Sequence, residues 1–155
     1  MSDTWPIIRP ANARDVQSAF KLMSELGYPG LSLPRFTKAY QEVLEHPTMF
    51  LLVAENQAGE IIGLASMTRR PQLRLTANLV TIDELVVADH ARGKGVGKKL
   101  LEGAEAMARK LGARRLELET NRARESYRRR FYVKNGFTEA DSAVMRIDYD
   151  LPEDA

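Results

Sequence analysis

From Val86 to Leu101 the chain reads VVADHARGKGVGKKLL, with Gly93, Gly95 and Gly97 interleaved with Arg92, Lys94 and Lys98. An apolar run precedes these residues and an amphipathic one follows, so the glycines fall where a strand hands over to a helix. The first N–H groups of a helix lack intrahelical partners and the macrodipole places partial positive charge there, so phosphate is a natural guest. Residues without a Cβ let the backbone close around such an anion and adopt positive φ. Arg92, Lys94, Lys98 and Lys99 add the charge that a pyrophosphate needs. A Walker loop is excluded by spacing, because Gly97-Lys98 is followed by Lys99 and the matching upstream glycine is missing. A dinucleotide fingerprint fits poorly, since the glycines do not follow the strand directly and the third comes too early.

A second set of chemically able residues lies on either side of this loop. Asp83 and Glu84 precede it, Glu119 stands in the later stretch RRLELET, and Tyr132 lies within NRARESYRRRFYVKNGF, Asn121 to Phe137. Successive strand residues face opposite ways, so Asp83 and Glu84 reach one site together only across a bulge.

Taken together, the Arg-x-x-Gly-x-Gly run from Arg92 to Gly97, the Asn121 to Phe137 segment and the opening IIRPANARDVQSAFKLMSELGYP resemble the GNAT family of N-acetyltransferases over nearly the whole chain. The resemblance implies transfer of the acetyl group of acetyl-CoA to a primary amine, by direct attack in a ternary complex. It implies that the backbone of Leu85, Val86 and Val87 bonds the pantetheine arm, and that Arg92, Gly93, Lys94, Gly95, Val96, Gly97 and Lys98 hold the pyrophosphate. Asn121 matches a residue that contacts pantetheine, and Tyr132 matches the tyrosine whose hydroxyl faces the thioester sulfur. Arg128 departs from the family pattern, which has a small residue three before Phe-Tyr. A lysine-like amine, with pKa about 10.4, needs a base to free its lone pair, and the departing thiolate, with pKa near 8.5, is helped by a donor. Glu84 is favoured as the base, with Asp83, Glu119 and a water chain as rivals; Tyr132 is the candidate acid.

These residues require elements to position them. Short strands are expected at WPIIRPA, TMFLLVAEN, EIIGLASMTRR, LVTIDELVV, RRLELET and AVMRIDYDL. Helices are expected after Asn12 and Ser32 as N-caps, from about Gly97 to Leu111, and over ESYRRRFYVKNGF. The order argues α/β or α+β, with helices packed on a mixed, mostly antiparallel sheet; the resemblance makes this a GNAT-like sheet of six to seven strands flanked by about four helices. The strand-helix-strand unit at 79–120 is expected to hold a parallel pair.

At 155 residues and 44% hydrophobic composition, one domain over 1–151 with a flexible tail at 152–155 is expected. No apolar run approaches the roughly 20 residues of a membrane span, and the start lacks a signal pattern, so a cytoplasmic protein without a membrane partner is expected. With no cysteine and only His46 and His90 as imidazoles, neither a thiolate nucleophile nor a metal site is expected. A net charge of +2 gives little support to nucleic-acid binding, although the arginines from Arg122 to Arg130 permit RNA binding as one alternative. A non-catalytic acyl-CoA-binding sensor is another. A homodimer is compatible with the resemblance. The acceptor pocket is expected to be walled by GYPGLSLPRF, RRPQLRLTA and TEADSA, with Tyr28, Phe36, Arg69, Arg70 and Arg74, and its ligand stays open.

Overall fold

The computed structural model describes residues 4–28 and 30–150. The tail expected at 152–155 and Pro29 of the expected acceptor wall lie outside them. The chain divides into two compact units, one ending at Thr120 and the other beginning at Asn121.

The first unit opens with β1, Ile7–Pro10. Asn12 then forms the expected cap, accepting from the Arg14 N–H while Asp15 reciprocates to the Asn12 N–H, and this box starts a single 3-10 turn that leads into α1, Val16–Ser24. Ser32 caps α2, Leu33–Glu45, accepting from the Arg35 N–H at 3.4 Å. The helix stops before His46-Pro47, as proline requires. β2, Met49–Glu55, and β3, Ile61–Gln72, form the expected hairpin, its turn held by the Asn56 side-chain oxygen accepting from the N–H groups of Ala58 and Glu60. β4, Ala77–Val87, leads through the glycine loop into α3, Val96–Lys110, and on to β5, Ala113–Leu118.

The sheet order is β1-β2-β3-β4-β5. Its first three pairings are antiparallel and β4–β5 is parallel, as expected for a strand-helix-strand unit. Two glycines let α3 lie flat on one face. A Cβ at Gly63 would sit 2.8 Å from Leu100 Cδ1, and one at Gly103 would sit 2.9 Å from Ile8 Cγ2. The helix presses Val96, Leu100, Leu101, Ala104 and Ala108 inward, all buried. Residues paired across antiparallel strands share a face, so Ala65, Met67, Leu52 and Ile82 join Gly63 on the α3 face. The alternate residues Val53, Ile62, Leu64 and Val86 are buried on the other face, where α1 and α2 pack.

The second unit departs from expectation twice. The helix expected over 125–137 is two single turns, α4 at Glu125–Arg128 and α5 at Phe131–Lys134, because Arg130 adopts φ 61°. The break falls at the last of three adjacent arginines, Arg128 to Arg130. This makes five helices among the described residues where about four were expected. The sheet has five strands among the described residues where six to seven were expected. The missing one is the last: 142–150 carries no strand and exposes Val144, Met145, Ile147 and Tyr149. Alternation alone does not make a strand, since its stability comes from pairing and from burying one face, and this segment does neither.

Candidate active site

β4 is the spine of the site. It pairs with β5 only as far as Ile82–Leu118, where β5 ends, and then continues to Val87 with β3 alone at its side. From Asp83 to Val87 one edge of β4 therefore has no strand partner among the described residues. Leu85, Val86 and Val87 lie in this reach, as expected.

A β-bulge begins the same reach. Ser66 pairs with Glu84 and Met67 with Ile82, leaving Asp83 as the extra residue. Met67 and Ile82 are on the α3 face; Ser66 and Glu84 are on the opposite one. Asp83 accepts from Thr81 Oγ1 at 2.9 Å and from Thr68 Oγ1 at 2.6 Å, both on that opposite face, so the bulge brings the two carboxylates to one side of the sheet. Ser66, buried, fixes the distortion by accepting the Glu84 N–H at 3.0 Å. Burial pushes the Glu84 carboxyl above the usual carboxylate range, and the neighbouring Asp83 charge pushes it further. Asp83 is exposed and held by its two hydroxyl donors. Thr68, Thr81 and Ser66 were not singled out in the sequence; their only signal is their place on strands that flank the carboxylates. Glu119 is exposed, just past the end of β5.

The glycine loop has the form its sequence requires. Gly93 has φ 76°, and Gly95, φ 82°, is the N-cap of α3. No side chain caps that helix, so its first N–H groups, from Val96 onward, have no capping partner among the described residues. A Cβ at Gly93 or Gly95 would touch nothing within 4 Å, so glycine serves the left-handed backbone there and leaves the surface bare. Arg92, Lys94 and Lys98 are exposed around it. Arg92 also folds back, pairing with Asp89 at 3.1 Å and donating from Nε to the Val87 carbonyl at 3.4 Å. Lys99 departs from the others: its ammonium donates to the Trp5 carbonyl at 2.8 Å and is turned toward the chain start. A hollow of about 370 Å³ opens beside the loop, lined by Trp5, Asn56, Glu60, His90 and Lys94 among others; there His90 Nε2 meets Glu60 at 3.2 Å.

In the second unit Tyr132 sits in an aromatic cluster, its ring centroid 5.1 Å from that of Phe131 and 6.0 Å from that of Phe137. Burial raises the Tyr132 phenol above its ordinary value of 10.0, against the lowering pull of Arg124, Ser126 and Arg129. The hydroxyl is therefore protonated, a donor, throughout the neutral range. Asn121 turns its side-chain oxygen to the Ala123 N–H at 2.8 Å, shaping the turn ahead of α4. The arginine run is partly neutralised, since Arg122 reaches Glu139 at 3.2 Å and the Tyr127 hydroxyl donates to the same carboxylate.

Among the described residues no group of three or more His, Cys, Asp or Glu could hold a metal ion, and no helix is long and apolar enough to cross a membrane. Residues 16–137 match the acetyltransferase (GNAT) family. The chain is 31% identical over 140 residues to an aminoalkylphosphonate N-acetyltransferase of Salmonella typhimurium, covering 89% of this chain and 90% of that one. It is 27% identical over 154 residues to a probable glucosamine 6-phosphate N-acetyltransferase of Drosophila melanogaster, covering 96% of this chain and 68% of the relative. The fold is similar to that of a GNAT family acetyltransferase of Staphylococcus aureus, with a TM-score of 0.76 and 26% identity over 91% of this chain and 97% of the other.

Proposed function

Since the chain belongs to the GNAT acetyltransferase family, we propose that it moves the acetyl group of acetyl-CoA to a primary amine on a small acceptor, by direct attack without an acyl-enzyme. The observation that carries this reading is the unpaired reach of β4: it presents free backbone, two bulge-aligned carboxylates and, at its end, an uncapped helix N-terminus among exposed cations. The matched span of 16–137 runs across both units.

The residues fit the group they would hold. The N–H groups at the start of α3, with Arg92, Lys94 and Lys98, suit a pyrophosphate. The edge of Leu85, Val86 and Val87 that no strand covers among the described residues suits the amides of a pantetheine arm, which would extend the sheet by hydrogen bonding as a further strand does. Asn121 keeps its side-chain N–H groups for the same arm. Bound there, acetyl-CoA supplies an acyl carbon already activated as a thioester.

Glu84 takes a proton from the ammonium form of the acceptor, leaving a lone pair to attack the thioester carbon. Its raised pKa makes it a stronger base than an ordinary carboxylate. Asp83, tied to Thr68 and Thr81, supplies the like charge that contributes to this shift and attracts the ammonium. As the carbon–sulfur bond breaks, the Tyr132 hydroxyl donates to the departing sulfur.

Thiol release from acetyl-CoA with a panel of primary amines tests the reading, measured across pH. Turnover should fall as pH drops through the Glu84 pKa, and Glu84→Gln should lose both the acid limb and at least tenfold in kcat. Thiol release that is absent with every amine, while acetyl-CoA still binds, would favour the sensor reading.

A further inference from the structure

Accepting the acetyl-transfer reading, we infer that the acceptor carries a phosphonate or phosphate group, held by Arg70 and Arg115 at the far end of the strip that ends at Glu84. The register places these residues. Arg70 pairs with Leu79, which pairs in turn with Arg115, so the three form one row across β3, β4 and β5. Arg70 lies two and four residues along β3 from Thr68 and Ser66, hence on the face that carries Asp83 and Glu84. Arg69, its neighbour in the sequence, pairs with Val80 and points to the α3 face.

Both guanidinium groups of the row are exposed, and among the described residues neither has an ion pair or hydrogen bond. With strands about 4.8 Å apart, their Cα atoms stand roughly 10 Å apart astride Leu79, a spacing from which two long side chains can converge on one anion. A planar fork of donors on each side suits a tetrahedral oxyanion. Gln72 continues the face beyond Arg70, and its side-chain oxygen is buried without a partner among the described residues. Glu117, in the row of Thr68 and Thr81, stands on the same face. It lies between the arginines and the carboxylates, where an ammonium passes.

Distance sets the size of the acceptor. Four residues of β3 separate Ser66, beside Glu84, from Arg70, about 13 Å along the strand. The arginine and glutamate side chains span part of this, leaving room for an amine and an anion joined by two or three carbons. A charged amine without the anion would leave both guanidinium groups unmet.

Steady-state kinetics with 2-aminoethylphosphonate, O-phosphoethanolamine, β-alanine and propylamine test the inference on the wild type, Arg70→Gln and Arg69→Gln. The wild type should prefer the phosphonate and the phosphate ester over propylamine by tenfold or more in kcat/KM, with β-alanine between them. Arg70→Gln should raise KM for the phosphonate at least tenfold with kcat within threefold, and Arg69→Gln should keep the preference. Equal use of propylamine by the wild type, or equal effects of the two substitutions, would overturn it. Calorimetry of 2-aminoethylphosphonate on the coenzyme A-saturated protein separates recognition from chemistry. Arg70-dependent binding without any acetylation would retain the anion site and remove the transferase reading; absence of binding would remove the site.

Discussion

Tyr132 is where a catalytic and a merely structural role predict opposite measurements. Its burial holds the phenol neutral well past pH 7, so it donates, and a donor to sulfur strengthens as the thiolate forms. Tyr132→Phe should therefore lower kcat about ten- to a thousandfold and leave acetyl-CoA affinity nearly constant, since the ring keeps its contacts with Phe131 and Phe137. A packing role predicts unchanged turnover and a small loss of melting temperature. Measuring all three quantities on one variant decides between them. Tyr132 could be picked out beforehand because the segment from Asn121 to Phe137 resembles the family's second motif. The pairing of Asp83 with Glu84 could not, because a bulge is set by the register against a partner strand, and Ser66 and Thr68, which fix it, are remote in sequence. The same holds for the division of Arg69 from Arg70, which strand register settles and composition does not.

At the scale of the element, the glycines sort into two kinds that the sequence alone leaves mixed. Gly95 is required by its dihedrals and Gly63 by space. Gly95→Ala should cost about 1 kcal/mol, the penalty of a Cβ in the left-handed region, and weaken acetyl-CoA binding as the helix start shifts. Gly63→Ala pushes a methyl to 2.8 Å from Leu100 and 3.2 Å from Val96, so it should cost about 1–3 kcal/mol by overpacking. Thermal melts with and without acetyl-CoA discriminate: the coenzyme should recover less stability in Gly95→Ala than in Gly63→Ala. Equal recovery in both would mean that the loop conformation does not matter for binding. Helices α1 to α3 and strands β1 to β5 were legible because their periodicity, caps and stops agree. The last expected strand was not, because alternation in AVMRIDYDL says which faces would differ without supplying a partner, and the helix over 125–137 was misread because nothing in its apolar spacing marks the turn at Arg130.

For the whole molecule, two carboxylates, Asp15 buried and Glu84 half-buried, pull stability in opposite directions with pH. Asp15 is held below its usual 3.8 mainly by the Arg9 fork, at 2.8 and 3.0 Å, against the cost of its burial. A depressed pKa gives stability that is present above the unfolded value and is lost as pH falls through the folded one. Glu84 is raised above its usual 4.5 by burial and then by Asp83, so its contribution is fully present below that value and is lost as pH rises through the folded pKa. The first charge serves the fold, tying β1 to the start of α1; the second is carried at a cost to the fold because the proposed chemistry needs a base in that place. Melting curves from pH 3 to pH 8 on the wild type, Asp15→Ala and Glu84→Gln should show this. Asp15→Ala should melt lower at neutral pH by about 5 °C, corresponding to roughly 2 kcal/mol for charge-assisted hydrogen bonds, and the gap should close as pH falls below 3.8. Glu84→Gln should match the wild type below pH 4.5 and melt progressively higher above it, while its turnover falls. A Glu84→Gln protein less stable than the wild type at neutral pH would mean that this carboxylate holds the fold together, and the base would then have to be Asp83, Glu119 or a bound water.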